Sequence, residues 1–478
     1  MRGNSRFLLF GIICVFLLTG CGGGSYSNNN PSPMQQPQPQ AAAQVSLSAT
    51  DAPPVGVTVL SFEVWVTGAT LNPGTVDLLA GKAAIRLEVK KLETENAFLS
   101  TASVPAGDYT SLNLTFANPE LTFRNDSSAT LAGCAPGNVC EIAPSGPLSA
   151  TVNGQFTATS GMQTGVLVDL NLANLVTQSL GVDFSTSTAV LATQQSGDAE
   201  GHLEDLEDLS GIVGNAGSGQ FTLQTADMGR ISVSVDSNTE FDGFDPCTMA
   251  SVTCLQKGQS VDVDLILLAN GSFLAKKIQL HDDASEAADD ELDGVISKID
   301  SPSQFEIVVI DELRDVTSVS VGDPVTVMLR TSSGGTSFRV DADGLQIPAS
   351  LQQAFESQTD TSQLVPGQTV QVRKRDLAGG PAPAAITLTT DRVRLRATRL
   401  TAAVSGAPSG SNFNIGNLPG LFAANGITLI QVQTSPKTSF ENADDLSGFV
   451  DGTSVSVRGL LFSSTPTPVL IADKVRKR

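Results

Sequence analysis

The chain has 478 residues, with 49 acidic against 28 basic side chains, a formal net charge of −21 and only 5% aromatic residues. At ~100–200 residues per domain, that length predicts three or four domains. So acidic a surface repels phosphodiester backbones and anionic headgroups at long range, which sets the expectation of no nucleic-acid partner.

Arg2 and Arg6 precede an apolar run from Phe7 to Leu18, the layout of a secretory signal. About a dozen apolar residues are too few to cross the ~30 Å hydrocarbon core of a bilayer. Leu18-Thr19-Gly20-Cys21 follows, and it resembles the lipobox of bacterial lipoproteins, whose cysteine sulfur receives a diacylglyceryl group. Residues 1–20 therefore read as a signal peptide and Cys21 as the site of lipidation, with acyl chains as the membrane partner; loss of Arg2 and Arg6 takes the formal charge from −21 to −23. Each buried methylene contributes ~0.8 kcal/mol, so two or three chains anchor effectively for good. Residues 21–44, rich in Gly, Ser, Asn, Pro and Gln, read as a disordered tether. Gly22 in place of an aspartate favours the outer membrane or cell surface over the inner membrane.

Of six cysteines, Cys14 lies in the signal and Cys21 carries lipid, leaving two close pairs, Cys134 with Cys140 and Cys247 with Cys254. In an exported protein such pairs read as local disulfides contributing ~2–3 kcal/mol each. A metal site is the alternative, but neither pair has the two-residue gap of a zinc knuckle or a histidine beside it.

Between about 45 and 195, apolar and polar residues alternate in bursts such as Leu60-Ser61-Phe62-Glu63-Val64-Trp65-Val66 and Leu112-Asn113-Leu114-Thr115-Phe116. Period-two alternation between turn residues predicts a β-sandwich. Thr50-Asp51-Ala52-Pro53, Pro105-Ala106-Gly107-Asp108-Tyr109 and the Val168-Asp169-Leu170 strand make this region resemble domain of unknown function 4382. That resemblance implies localisation and fold rather than an activity.

Four landmarks then recur three times in one order. A leucine opens each copy (Leu209, Leu292, Leu400), and a strand with phenylalanine follows (Phe221, Phe305, Phe413). Next come a Thr-x-Phe (Thr239 to Phe241, Thr336 to Phe338, Thr438 to Phe440) and a glycine turn into a strand (Gly258, Gly367, Gly452). The closing strand is plain in Leu274–Ile278 and Ile471–Val475, and Thr389–Val393 stands in its place in the middle copy. Five or six short strands suffice to close a barrel and remove sheet edges. The copies, at 209–283, 292–398 and 399–478, resemble domain of unknown function 5666, which implies small OB-like barrels. The fold class is thus all-β: a sandwich followed by three OB-like barrels. The recurring phenylalanines read as core, and Gly214–Gly219 as a hairpin rather than a phosphate loop.

Two acidic segments separate the domains, Asp198–Asp208 and Asp282–Asp293. They read as solvated linkers that hold neighbouring domains apart. The sharper reading is interdomain calcium, with Asp205, Asp208, Asp282, Asp283 and Asp290 as candidate ligands, although the register of an EF-hand loop is missing. His202 and His281, beside these clusters, have no metal-ligand spacing and read as surface residues. Arg392-Val393-Arg394-Leu395-Arg396 puts three arginines on one face of a strand. They form either a solubilising outer face or an anion-binding patch for a phosphorylated glycan or an acidic segment.

No Gly-x-Ser-x-Gly elbow, His-Glu-x-x-His, Walker loop or dinucleotide fingerprint occurs. The sequence therefore points to a non-catalytic, lipid-anchored envelope protein without a cofactor: a rod of β-domains serving as scaffold or binding protein. A carbohydrate- or polymer-binding protein is the alternative, with an envelope polysaccharide or protein as partner. A hydrolase of envelope material is the third.

Overall fold

A computed structural model describes residues 42–170 and 205–478, apart from 51–55, 80, 82–83, 146–147, 226–228, 245–250, 269–271, 283–289, 313–317, 333, 341, 343 and 379–385. The signal, Cys21 and the tether as far as residue 41 lie outside the described residues. The first strand begins at Ala42, three residues ahead of Val45, where the sandwich was expected to start.

The N-terminal region is a sandwich. Its three-stranded sheet is β5(Ala97–Pro105)-β1(Ala42–Thr50)-β9(Gln163–Asp169), in which β1 runs antiparallel to β5 and parallel to β9. The facing sheet has the order β3(Val76–Asp77)-β2(Val57–Asn72)-β6(Gly107–Asn125)-β7(Val139–Ile142), with β4(Ile85–Glu88) on β2 and β8(Ser149–Ala158) on β6. Alternation does what period two requires: Phe62, Val64 and Val66 on β2 and Leu112, Leu114 and Phe116 on β6 are buried between the sheets. A bulge between Val59 and Ser61 breaks that rule at Leu60. The extra residue turns Leu60 out of the sandwich core and into a second one.

Three sheets of identical topology follow. The first comprises β10(Asp205–Gly217), β11(Gln220–Thr225), β12(Gly229–Ser234), β13(Glu240–Asp242), β14(Ser260–Leu267) and β15(Phe273–Asp282). The second comprises β16(Glu291–Ser301), β17(Gln304–Glu312), β18(Pro324–Leu329), β19(Ser337–Val340), β20(Thr369–Ala378) and β21(Ile386–Arg396). The third comprises β22(Thr398–Ser409), β23(Asn412–Gly416), β24(Ile430–Gln433), β25(Ser439–Glu441), β26(Ser454–Phe462) and β27(Val469–Lys477). In each, the third strand pairs in parallel with the last and closes a five-stranded barrel, while the short fourth strand adds to the outside of the last. The first barrel starts at Asp205, four residues ahead of Leu209, and the middle closing strand is β21, longer than Thr389–Val393.

The recurring residues have specific tasks. Phe221, Phe305 and Phe413 are barrel core. The threonine of each Thr-x-Phe accepts a hydrogen bond from the N–H of Asp236, Arg330 or Ser435 at 2.8–3.1 Å. It donates to the carbonyl of Ala275, Thr390 or Ala472 on the closing strand at 2.7–2.9 Å, so one hydroxyl fixes both turn and strand pairing. Gly258, Gly367 and Gly452 take φ of +93°, +93° and +84°, where a side chain would be strained. Their N–H groups bond to Val213, Ile296 and Val404 of the opening strand. The residue after each glycine (Gln259, Gln368, Thr453) accepts from the N–H three positions back, closing the same turn from the other side.

The four domains are not strung out. Leu60 and Val139 of the sandwich, Val295, Val308 and Ile310 of the second barrel and Leu421 of the third share one small core. Leu421 lies on the short helix α2(Gly420–Ala424). Helix α1(Ala349–Glu356), in an insertion of the second barrel, buries Phe355 edge-on against Phe338 and against Phe462 of the third barrel. Phe98 of β5 packs edge-on against Phe273 of the first barrel, with ring centroids 5.6 Å apart. The rod expected from the repeated domains and acidic linkers is therefore corrected. Apolar side chains on the outer faces of the domains, indistinguishable by periodicity from core residues, dock them into one compact unit over residues 41–478.

Candidate binding cleft between the barrels

Outside each barrel, the first, fifth, sixth and fourth strands lay out two rows of polar residues. In the second barrel these are Glu291, Arg373, Arg392 and Ser337, then Asp293, Gln371, Arg394 and Arg339. The third has Arg399, Arg458, Lys474 and Ser439, then Thr401, Ser456, Arg476 and Glu441. The first has Asp264, Lys277 and Glu240, then Ser210, Asp262, Gln279 and Asp242. An acid-rich face thus meets two base-rich ones.

The anion-binding reading of β21 is corrected by this arrangement. Val393 and Leu395 are barrel core, as the alternation predicts, but the arginine face is covered. Arg392, 1% exposed, is paired with Glu291, 3% exposed. Arg394 Nη1 donates to Gln371 Oε1 at 2.9 Å, and Arg396 Nη2 donates to Asp262 Oδ2 of the first barrel at 2.9 Å. Burial raises the Asp293 carboxyl, Arg396 opposes the shift, and Asp311 and Asp262 add to it. Burial also acts on Asp391, yet hydrogen bonds from Arg373 and Arg375 overcome it and hold this carboxyl below its ordinary value.

The turn Val89–Glu93 and the residues after it carry the sandwich into the same network. Glu95 accepts from Arg399 Nε at 2.8 Å and from Arg458 Nη1 at 3.2 Å. Arg476 Nη2 reaches Asn96 Oδ1 at 3.1 Å, and Lys91 pairs with Asp311. Just before the turn, burial raises Glu88, whose carboxylate accepts from the N–H of Phe62 and the hydroxyl of Ser61, both at 2.8 Å.

Of the calcium candidates, Asp205, Asp208 and Asp282 lie on β10 and β15 with side chains outside the described residues, and Asp283 lies outside them altogether. Asp290 is paired with Lys374. Among the described residues no group of three acidic, histidine or cysteine side chains is placed to hold a metal. Cys134 and Cys140 form a disulfide. Cys254 is disulfide-bonded, while Cys247 lies outside the described residues.

What the barrels leave open is a cleft of about 590 Å³ between the first and third. One wall is Thr239, Glu240, Phe241 and Asp242 of the first barrel, with Asp264 behind. The other is Lys437, Arg458 and Asp473 of the third. Gly344 and Leu345 of the second barrel close the end; a methyl built on Gly344, at φ +71°, would lie 3.7 Å from Asp242 Oδ2. Arg458 Nε holds Asp473 Oδ2 at 2.7 Å, whereas the buried Oδ1 has no hydrogen-bond partner among the described residues. Sequence reasoning missed this cleft, because its walls are two copies of one motif brought face to face over some two hundred residues.

Residues 42–199 match the family model described as Domain of unknown function (DUF4382), and residues 210–279 match that of Domain of unknown function (DUF5666). No curated protein matches the chain. Among solved structures, Drosophila Unr CSD456 is similar at 10% identity, covering 57% of this chain and 97% of that one, with a TM-score of 0.13. A multidomain protein with nucleic acid binding domains from Streptococcus pneumoniae is similar at 10% identity, covering 55% and 71%, with a TM-score of 0.11. The expectation of no nucleic-acid partner, drawn from net charge, is withdrawn on physical grounds. Net charge is a whole-chain sum, and it does not describe the local field of a single barrel.

Proposed function

We propose that this chain is a lipid-anchored, non-catalytic protein of the bacterial cell envelope whose sandwich and three barrels act as one binding scaffold. The observation that supports it best is the engagement of the charged barrel faces with one another and with the sandwich, through Arg392 and Glu291, Arg396 and Asp262, and Arg399 and Glu95. Side chains locked this way hold domains in fixed relation and leave the interbarrel cleft as the concave surface offered to a ligand. An envelope protein of this kind needs an anchor, and the motif ending at Cys21 supplies one.

The test is metabolic labelling with radioactive palmitate, comparing the chain with its Cys21→Ser variant. Label and membrane fractionation are expected in the former and lost in the latter. Absence of label, or unchanged membrane retention of the variant, overturns the anchored reading.

A further inference from the structure

The cleft has a second property besides its charge. Thr239, Glu240, Phe241 and Asp242 are consecutive, and all four line it. A face of a strand contributes only alternate residues, so it is the edge of β13 that runs along the opening. β13 pairs with β15 on one side and ends its sheet there. β25, at the corresponding place in the third barrel, is likewise a terminal strand, and its Ser439 lines the opposite wall. An open strand edge is a template of backbone donors and acceptors, and the ligand that matches it is another extended backbone.

Charge sets which peptide. Glu240, Asp242, Asp262 and Asp264 outweigh Lys277 and make the first-barrel wall acidic, while Lys437, Arg458 and Lys474 outweigh Asp473 and make the third-barrel wall basic. A strand rises ~3.3 Å per residue, so a few residues carry opposite charges far enough apart to meet both walls. We propose that the cleft binds a short extended peptide with free termini. Its amino end pairs with the β13 edge, with the ammonium group at Glu240 and Asp242, and the chain then crosses the cleft to bring its carboxylate to Lys437. Because the charges lie at the two ends, the side chains between them contribute little to recognition.

This rests on the scaffold reading of the same cleft. Titration calorimetry on the full-length protein in detergent tests it, with tetra-alanine as the probe. Saturable binding is expected, weakened about tenfold when either peptide end is capped by acetylation or amidation, the loss of one charge-assisted contact. Glu240→Gln with Asp242→Asn should abolish the discrimination at the amino end only, and Lys437→Gln that at the carboxyl end only. Capping experiments need no variant, so a misfolded mutant does not blunt the test. No heat at millimolar peptide, or equal binding of the doubly capped peptide, overturns the proposal. If the urea transitions of the sandwich and the barrels still coincide in that case, the docked scaffold stands and only the ligand falls.

Discussion

Glu95 offers the most direct test of the docked architecture, because it belongs to the sandwich and its partners belong to the third barrel. Its carboxylate accepts from Arg399 and Arg458, and all three side chains are about nine-tenths buried. Arg458 keeps Asp473 when Glu95 is removed. The cost of Glu95→Ala therefore falls mainly on Arg399, left with its buried carboxylate partner gone. Breaking a buried pair from one side costs ~3–5 kcal/mol, and retention of the second arginine's partner places the expectation near the low end, about 3 kcal/mol. The same pair exposed on independent domains would be worth ~0.2–1 kcal/mol. Urea unfolding separates the two cases. The only tryptophan, Trp65, lies on β2, so its fluorescence reports the sandwich while far-ultraviolet circular dichroism reports all the strands. Docked domains predict coincident transitions in the unaltered protein and a loss of about 3 kcal/mol in the variant. Separate transitions, together with a change below ~0.5 kcal/mol, would refute the docking argument.

Two further outcomes follow from the sandwich alone. Burial pushes the Glu63 carboxyl up to about 7 from an ordinary 4.5, against the pull of Arg86. The folded form therefore binds this proton more tightly than the unfolded chain, so no penalty exists below pH 4.5 and the full penalty is present above about pH 7. The full shift corresponds to ~3 kcal/mol, reduced by solvent screening to about 1–2 kcal/mol; Glu63→Gln should accordingly gain on the unaltered protein between pH 5 and 8 in parallel denaturation series, and a constant difference would sink the assignment. Replacing Cys134 and Cys140 by serine opens a loop with a sequence separation of 6 and should cost about 2 kcal/mol, read as a shift of the urea midpoint.

Much of the fold could be read from residue patterns because the decisive contacts are short in sequence. The Thr-x-Phe and glycine landmarks mark turns whose hydrogen bonds close within three to six residues, and such turns leave a local signature. Alternation likewise located β2, β6 and the inward face of β21. The outward faces were illegible for the opposite reason. An arginine facing water and one facing a distant carboxylate look alike in a strand, and the partners of Arg392, Arg396 and Arg399 lie 101, 134 and 304 positions away. Leu60 was hidden by a bulge, since strict alternation puts it on the same face as Phe62 and so in the same core. Helix α1 did carry a signal, eight residues free of glycine and proline after Pro348, but the repeat pattern around it drew the whole segment into β-structure. The cleft inherits the illegibility of the docking that forms it.

The long separation between Glu95 and Arg399 bears on how the molecule matures. A polypeptide emerges amino end first, and domains fold as units as they appear. The sandwich is therefore finished while Glu95 still faces water, and its two arginines arrive only with the third barrel. Arg476 and Arg478, at the end of the third barrel, then reach back to Asn96 and to the carbonyl of Glu93. The docking closes like a clasp, and a ribosome that still holds the third barrel keeps it undone.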